Sequence, residues 1–277
     1  MNADSFFSIG HSHQVCQDYA LSGMTNNLPY VIVSDGCSSS KDTDFGSRIL
    51  SKCLEGCILE PYEDDSLLKL KNTGFDLCRA YTKSLCVLDN FHELTDNCLD
   101  ATLLLAKQTG KEIQVFATGD GVIAAKHKNG TIVVKVIEFE DNAPVYLSYK
   151  YNPKRKEQLH KMYDCTKTIT THFIGQEPSF IQEISTNEEM EIFVFPMSEY
   201  THVSIMTDGI LSFQKIIEDN TSRSTESVPI ENLIPDLMAY KGEAGSFVQR
   251  RTQKFMKICS ENKMYHDDDF SIGTISI

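Results

Sequence analysis

Long apolar runs are missing from this chain of 277 residues. Its longest apolar candidates, at 30–33 and 131–138, are strand-sized, whereas a spanning helix needs roughly 20 such residues, so no membrane segment is expected. Residues 1–10 contain no basic stretch followed by an apolar core, so no secretory signal is expected, and a cytoplasmic location is the expectation. Basic residues are scarce as well. The 26 Lys+Arg against 39 Asp+Glu give a formal net charge of -13, which repels polyanions and argues against a nucleic-acid partner. The nine cysteines (16, 37, 53, 57, 78, 86, 98, 165 and 259) are odd in number, scattered and without a Cys-x-x-Cys pair. That argues against a disulfide framework and a zinc knuckle, and leaves Cys53 and Cys57, at helical spacing, as expected buried thiols. No repeat, low-complexity tract or Gly/Ser linker divides the chain, so a single domain over 1–277 is expected, with a monomer as the default state.

Several catalytic signatures are absent too. There is no Gly-x-Ser-x-Gly elbow, phosphate-binding loop or dinucleotide glycine fingerprint. His92-Glu93 opens like a zinc-protease helix, but the second histidine it needs is Asp96, and Asp42-Thr-Asp44 lacks the rest of a calcium loop.

What remains is a blockwise alternation of periods. Strands are expected at 6–9 and 30–33, then a helix with Phe45, Ile49, Cys53 and Cys57 on its apolar face, then a second helix at 66–88 with Leu67, Leu70, Phe75, Cys78 and Leu85 inward. The middle reads as an antiparallel meander, with strands at 101–106, 113–118, 122–126 and 131–137. A polar, locally basic stretch at 149–161 reads as an excursion from the sheet. Its segment 154–161 is expected to be a solvated face, with substrate docking as the lesser reading. Strands at 168–173, 191–195 and 203–206, helices at 230–240 and 247–260, and a last strand at 270–277 complete the pattern. Strands and helices in blocks favour an α+β fold with antiparallel sheets over a doubly wound parallel sheet.

The strongest functional signal is an apolar strand that runs into Asp-Gly, at Val31-Ile-Val-Ser-Asp35-Gly36, Val115-Phe-Ala-Thr-Gly-Asp120-Gly121 and Val203-Ser-Ile-Met-Thr-Asp208-Gly209. Asp-Gly is also the commonest tight-turn signal, and the strands around Asp120-Gly121 fit a hairpin well. Asp35-Gly36 fits a turn less well, because a serine-rich loop and a helix follow it. Asp267-Asp-Asp269 is harder to explain as structure alone, since adjacent acids repel one another and a bound cation would relieve that repulsion. Hard divalent ions take oxygen ligands, and Asp beside Gly offers a short carboxylate and an approachable carbonyl. Two such ions about 3.5–4 Å apart can activate water and neutralise phosphoryl oxygens, so the implied chemistry is phosphate-ester hydrolysis.

At these residues the sequence resembles the metal-dependent protein phosphatases of type 2C, in a divergent bacterial-type branch. The matching segments run in the family's order: Gly10-His-Ser-His-Gln-Val-Cys16-Gln17-Asp18, the Asp35-Gly36 strand with Gly46-Ser47 downstream, Thr118-Gly119-Asp120-Gly121, Met206-Thr207-Asp208-Gly209-Ile210 and Asp268-Asp269-Phe270-Ser271. The resemblance implies a four-layer α-β-β-α sandwich of two antiparallel sheets flanked by helix pairs, with a binuclear Mg²⁺ or Mn²⁺ centre at one edge. It implies a serine/threonine phosphatase acting on phosphoproteins through a metal-bridging hydroxide, with Asp35, Asp208 and Asp18 in catalysis. Asp35 would bridge both ions, the Gly36 carbonyl would bind the first, and Asp208 and Asp268 the second. Asp18 would act through metal-bound water, and Asp120 would help to hold a third ion. Asp269 is the register alternative to Asp268.

Three positions depart from the family pattern. His13 stands where many members place a phosphate-clamping arginine, so it becomes the candidate hydrogen-bond donor to the substrate phosphate, without the bidentate fork. At strand spacing, His11 and His13 would share a face. Cys37 replaces a histidine proposed elsewhere as general acid, which leaves that role to water, and Ser38 replaces a glycine. These departures keep open a catalytically silent phosphatase-like binding module. A nuclease is disfavoured by the net charge, and a haloacid-dehalogenase-type phosphatase because Asp35-Gly36-Cys37 does not supply the nucleophilic Asp-x-Asp that such an enzyme needs after its first strand.

Overall fold

The computed structural model describes residues 1–59, 96–176, 179–185, 190–218 and 223–277. The helix expected at 66–88 and the His92-Glu93 pair lie outside them. Fifteen strands are described: β1 (Asn2–Ser8), β2 (Tyr19–Thr25), β3 (Leu28–Ser34), β4 (Leu103–Thr109), β5 (Glu112–Thr118), β6 (Gly121–His127), β7 (Ile132–Phe139), β8 (Lys167–Ile174), β9 (Phe180–Ser185), β10 (Glu191–Pro196), β11 (Tyr200–Met206), β12 (Phe213–Glu218), β13 (Arg223–Ser227), β14 (Met264–His266) and β15 (Phe270–Ser276). Four α-helices accompany them: α1 (Thr43–Leu59), α2 (Pro153–Met162), α3 (Ile230–Leu237) and α4 (Phe247–Glu261). A seven-stranded sheet has the order β1-β15-β11-β6-β7-β8-β9, a five-stranded sheet the order β10-β5-β4-β3-β2, and a small third sheet the order β13-β12-β14. Every strand pairing among the described residues is antiparallel.

The central strands read as continuous apolar runs because both of their faces are covered. Val31 and Val33 of β3, Leu104 and Ala106 of β4, and Val115 of β5 point inward to meet Ile123, Ala125, Val203, Ile205 and Ile275 of the other sheet. The alternate residues Tyr30, Ile32, Leu103 and Leu105 point outward onto Leu50 and Leu54 of α1. On the opposite outer face, Val122, Ala124, Met206, Phe270 and Ile272 pack against Leu233, Ile234 and Leu237 of α3 and Phe247, Val248 and Phe255 of α4. The period of two thus divides one sequence run between two cores. The expected α+β sandwich with helices on its outer faces is observed.

Several local expectations change. The apolar face of α1 is set by Gly46, Leu50, Leu54 and Cys57, whereas Phe45 is exposed and Ile49 and Cys53 are only partly buried. Gly46 is the reason: a Cβ there would stand 1.5 Å from the Cys98 carbonyl oxygen, so the helix rests on its glycine side. The middle strands do not form one meander. β5 belongs to the five-stranded sheet and β6 to the seven-stranded sheet, so Gly119-Asp120-Gly121 is a crossing between layers and not a hairpin. The two glycines, at φ 83° and 144°, let the chain turn across the sandwich instead of back beside itself. β2 was not anticipated from the sequence; it pairs with β3 around Asn26-Asn27, both left-handed as a two-residue hairpin requires. β9, β12, β13 and β14 were likewise missed. The basic excursion contains α2, capped by the Asn152 side chain, and joins β7 to β8.

Among the described residues, no helix is long and apolar enough to cross a membrane. Burying a Leu stabilises by about 1.5–3 kcal/mol, and truncating it also leaves a cavity. Leu104→Ala in the inter-sheet core, where the side chain is fully buried, is therefore expected to cost about 2–5 kcal/mol in urea unfolding. Ile184→Ala on β9, 72% exposed, is expected to change stability by less than about 0.5 kcal/mol.

Candidate active site

The registers bring five connections to the same end of the sandwich. Ser8 of β1 pairs with Phe270 of β15, Met206 of β11 with Val122 of β6, Tyr19 of β2 with Ser34 of β3, and Leu103 of β4 with Thr118 of β5. The residues just beyond these pairs are Gly10 to Asp18, Asp35-Gly36, Asp120, Asp208 and Asp267 to Asp269. Acidic side chains far apart in the chain therefore surround one corner.

Asp18, directly before β2, is fully buried. Its Oδ2 accepts a hydrogen bond from Thr207 Oγ1 at 2.7 Å, while Oδ1 has no partner. Burial pushes its pKa well above the ordinary range; Thr207 partly offsets this, and the charges of Asp208 and Asp269 add to it. Asp35 is clamped by its backbone. Its N–H donates to Thr102 Oγ1 at 3.0 Å, and its carbonyl accepts from Thr102 N at 2.8 Å. Its carboxyl is also raised strongly, first by burial and then by Asp18, Asp208 and Asp120. Gly36 follows in a backbone bridge to Ala101, where a Cβ would come within 2.7 Å of the Thr43 carbonyl oxygen.

Asp120 sits at the layer crossing, 8% exposed, with Oδ1 unpartnered. Burial and then Asp208 push its pKa up to about 8. Asp208 begins a 3-10 turn, Asp208–Ser212, and its Oδ1 is also buried without a partner. Its pKa rises to about 6, through burial and then Asp268, against stabilisation from its own and Gly209's backbone N–H. Gly209 has no room for a side chain, since a Cβ would lie 1.7 Å from the Asp269 carbonyl oxygen.

The three adjacent acids take separate roles. The Asp267 carbonyl accepts from Ser12 N at 3.2 Å and from Ser12 Oγ at 2.7 Å. Asp268, with its side chain 43% exposed, acts electrostatically on Asp208 and Asp120. Asp269 is buried and holds the 10–17 loop, accepting from Gly10 N at 2.7 Å and from Gln17 N at 2.6 Å. His13 lies between the last two: Nε2 is 3.4 Å from Asp268 Oδ1, and Nδ1 is 3.1 Å from Asp269 Oδ2 without hydrogen-bond alignment. Residues 9–18 form a loop, so His11 and His13 do not share a strand face. His11 is exposed and packs edge-on against Tyr265 at 5.2 Å.

Sequence reasoning missed Thr102 and Thr207, which position the acids, and Asp100, a buried carboxylate behind the Asp35 loop. Thr207 stands next to Asp208 and Asp100 next to a bridge residue, but neither has a pattern that separates it from an ordinary polar residue at a strand end.

Burial leads the influences on Asp18, Asp35, Asp120 and Asp208, neighbouring acids and, for Asp18, Thr207 come next, and no cationic side chain is among these leading influences. Among the described residues, no group of three or more His, Cys, Asp or Glu is drawn together closely enough to enclose an ion as it stands. The donor set nevertheless suits a hard divalent cation. It consists of carboxylate oxygens, and on Asp18, Asp120 and Asp208 it includes buried oxygens that lack any hydrogen-bond donor.

The acids thus gather at one edge of a two-sheet antiparallel sandwich with helices on its outer faces. The chain matches the family described as Protein phosphatase 2C over residues 8–228, and it belongs to that family. Among solved structures, it is similar to the serine/threonine phosphatase Stp1 from Staphylococcus aureus, with 12% identity and TM-score 0.55, covering 100% of this chain and 94% of that one. It is also similar to the S. agalactiae serine/threonine phosphatase, with 11% identity and TM-score 0.53, covering 100% and 99%. PppA, a key regulatory component of T6SS in Pseudomonas aeruginosa, matches with 10% identity and TM-score 0.53 over 100% and 97%. A search of curated proteins gives no match. At these identities the structural likeness establishes the fold.

The raised carboxyls make a pH prediction with a definite sign. Between the unfolded carboxyl range near pH 4 and the folded values of about 6 for Asp208 and about 8 for Asp120, the native state holds more protons than the unfolded chain. Stability of the chelator-treated protein should therefore fall as pH rises from 5 to 8. Added Mn²⁺ should raise Tm more at pH 8 than at pH 5, as read by differential scanning calorimetry.

Proposed function

We propose that this protein is a Mg²⁺- or Mn²⁺-dependent serine/threonine phosphatase that acts on phosphorylated proteins, working as one domain over 1–277 without a nucleic-acid or membrane partner. The observation that carries this reading is the convergence of the buried Asp18 and Asp120 with the partly buried Asp35 and Asp208, without a cationic partner among their leading influences, on the family's scaffold. Asp35 and the Gly36 carbonyl would hold one ion, Asp35 with Asp208 and Asp268 a second, and Asp120 with Asp208 a third. When bound, such ions lower the pKa of water and stabilise charge on phosphoryl oxygens.

The chain's own residues would then act by position. Thr102 fixes the backbone of Asp35 on both sides, so its carboxylate stays aimed at the corner. Thr207 occupies one oxygen of Asp18 and leaves the other to accept a proton from an attacking water. Asp269 ties down the loop that carries His13, the candidate donor to the substrate phosphate. No side chain of the cluster is assigned as general acid, because Cys37 is poorly suited, so the leaving oxygen would take its proton from water.

A second reading, a phosphatase-like binding module, is favoured by one observation: His13 faces two carboxylates, which compete with a phosphate for its N–H groups. Turnover separates the readings. Asp208→Asn should lower Mn²⁺-dependent hydrolysis of a phosphoserine or phosphothreonine peptide by about 100-fold or more, with a phosphotyrosine peptide poorly cleaved by the wild type. Undiminished hydrolysis by the variant would overturn the metal-site assignment. Mn²⁺ and phosphopeptide binding by the wild type without turnover would instead establish the binding module.

A further inference from the structure

The insertion between β7 and β8 reaches the back of the candidate site through side chains that the phosphatase reading leaves unused. Asp100, 1% exposed, is the junction. Its carboxylate accepts from Ser40 Oγ at 2.7 Å, from Arg155 Nη2 at 2.6 Å and Nη1 at 3.2 Å, and from Ser148 Oγ. Its backbone carbonyl accepts from Cys37 N at 2.9 Å, and two residues later Thr102 grips Asp35. Asp100 therefore holds both ends of the 37–40 loop while its side chain is held by the insertion.

Arg155 of α2 reaches Asp100. The Lys161–Glu157 pair on the same helix is exposed at 2.6 Å, as expected of a solvated face, whereas the Arg155 guanidinium turns inward and lies 4.8 Å over the Tyr149 ring. Tyr149 stacks on the buried Tyr146 at 6.0 Å, and burial, followed by Cys37 and Asp120, pushes the Tyr146 hydroxyl well up. A planar fork matches a carboxylate in a way that a lysine cannot. The loop it steadies has little apolar anchorage, since Ser38 and Ser39 are exposed.

We propose that Arg155 is a positioning residue: by holding Asp100 it fixes the 35–40 loop, and with it the Asp35 carboxylate and the Gly36 carbonyl, so that docking of the insertion and cation binding at the corner are coupled. The cation half of this inference rests on the phosphatase reading; the loop half does not. Because coupling is reciprocal, a bound cation would in turn hold α2 in place.

The test compares the wild type with Arg155→Met, Arg155→Lys, the double variant Asp100→Asn/Arg155→Met and, on the outer face of α2, Glu157→Gln/Lys161→Met. Amide hydrogen exchange at 36–40 is measured on chelator-treated protein, and Mn²⁺ affinity by titration calorimetry. Arg155→Met should exchange about tenfold faster there and bind Mn²⁺ about 10–100-fold more weakly, Arg155→Lys should recover part of both, and the outer-face variant should match the wild type. If Arg155→Met fails to fold because Asp100 is left alone, the double variant, which removes both charges, is read in its place. Wild-type exchange at 36–40 in a folded variant overturns the proposal, and so does unchanged Mn²⁺ affinity. Should the wild type itself neither bind Mn²⁺ nor hydrolyse phosphopeptide, the phosphatase reading fails and the exchange measurement alone decides the role of Arg155.

Discussion

Mutual repulsion among carboxylates gathered at one corner of the sandwich is the constraint around which the structure is arranged. Asp18, Asp35, Asp120 and Asp208 each lose hydration on folding, and each is then disfavoured further by its neighbours. Such a corner is destabilising unless protons or cations compensate it. The two-sheet sandwich supplies the tolerance for it: three apolar layers, one between the sheets and one under the helices on each outer face, carry the stability that the corner gives up.

The acids are placed by neighbours that are not acidic ligands themselves. Thr102 and Thr207 hold Asp35 and Asp18, and Asp269 spends both of its oxygens on backbone N–H groups of the 10–17 loop. Close backbone approach does the remainder, at Gly209 against Asp269 and at Gly36 against Thr43, where any side chain would push two segments of the site apart. Asp100 and Arg155 extend this support outward to the insertion.

Much of the fold was legible because its signals are local. The runs around Val31, Val115 and Val203 announced strands, and the order of the Asp-Gly segments announced the family. What escaped notice depended on partners distant in the chain. The strand β2 alternates weakly and is stabilised by pairing with β3. The layer crossing at Asp120 resembles a hairpin in sequence, because the same Gly-Asp-Gly serves either turn and only the sheet that each flanking strand joins distinguishes them. The face of α1 was misplaced because a glycine, invisible to a hydrophobicity pattern, makes its closest contact.

The sequence alone determined which residue types stand at the strand ends, acids with glycines beside them, and that the chain has fewer basic than acidic residues, since residue type and local period are written along the chain. Tertiary structure decided the division of labour among Asp267, Asp268 and Asp269, the seat of His13 between two carboxylates, and the linkage of Asp100 to Arg155. Those depend on hydrogen-bond direction and burial, which arise only when segments far apart in sequence are packed against one another.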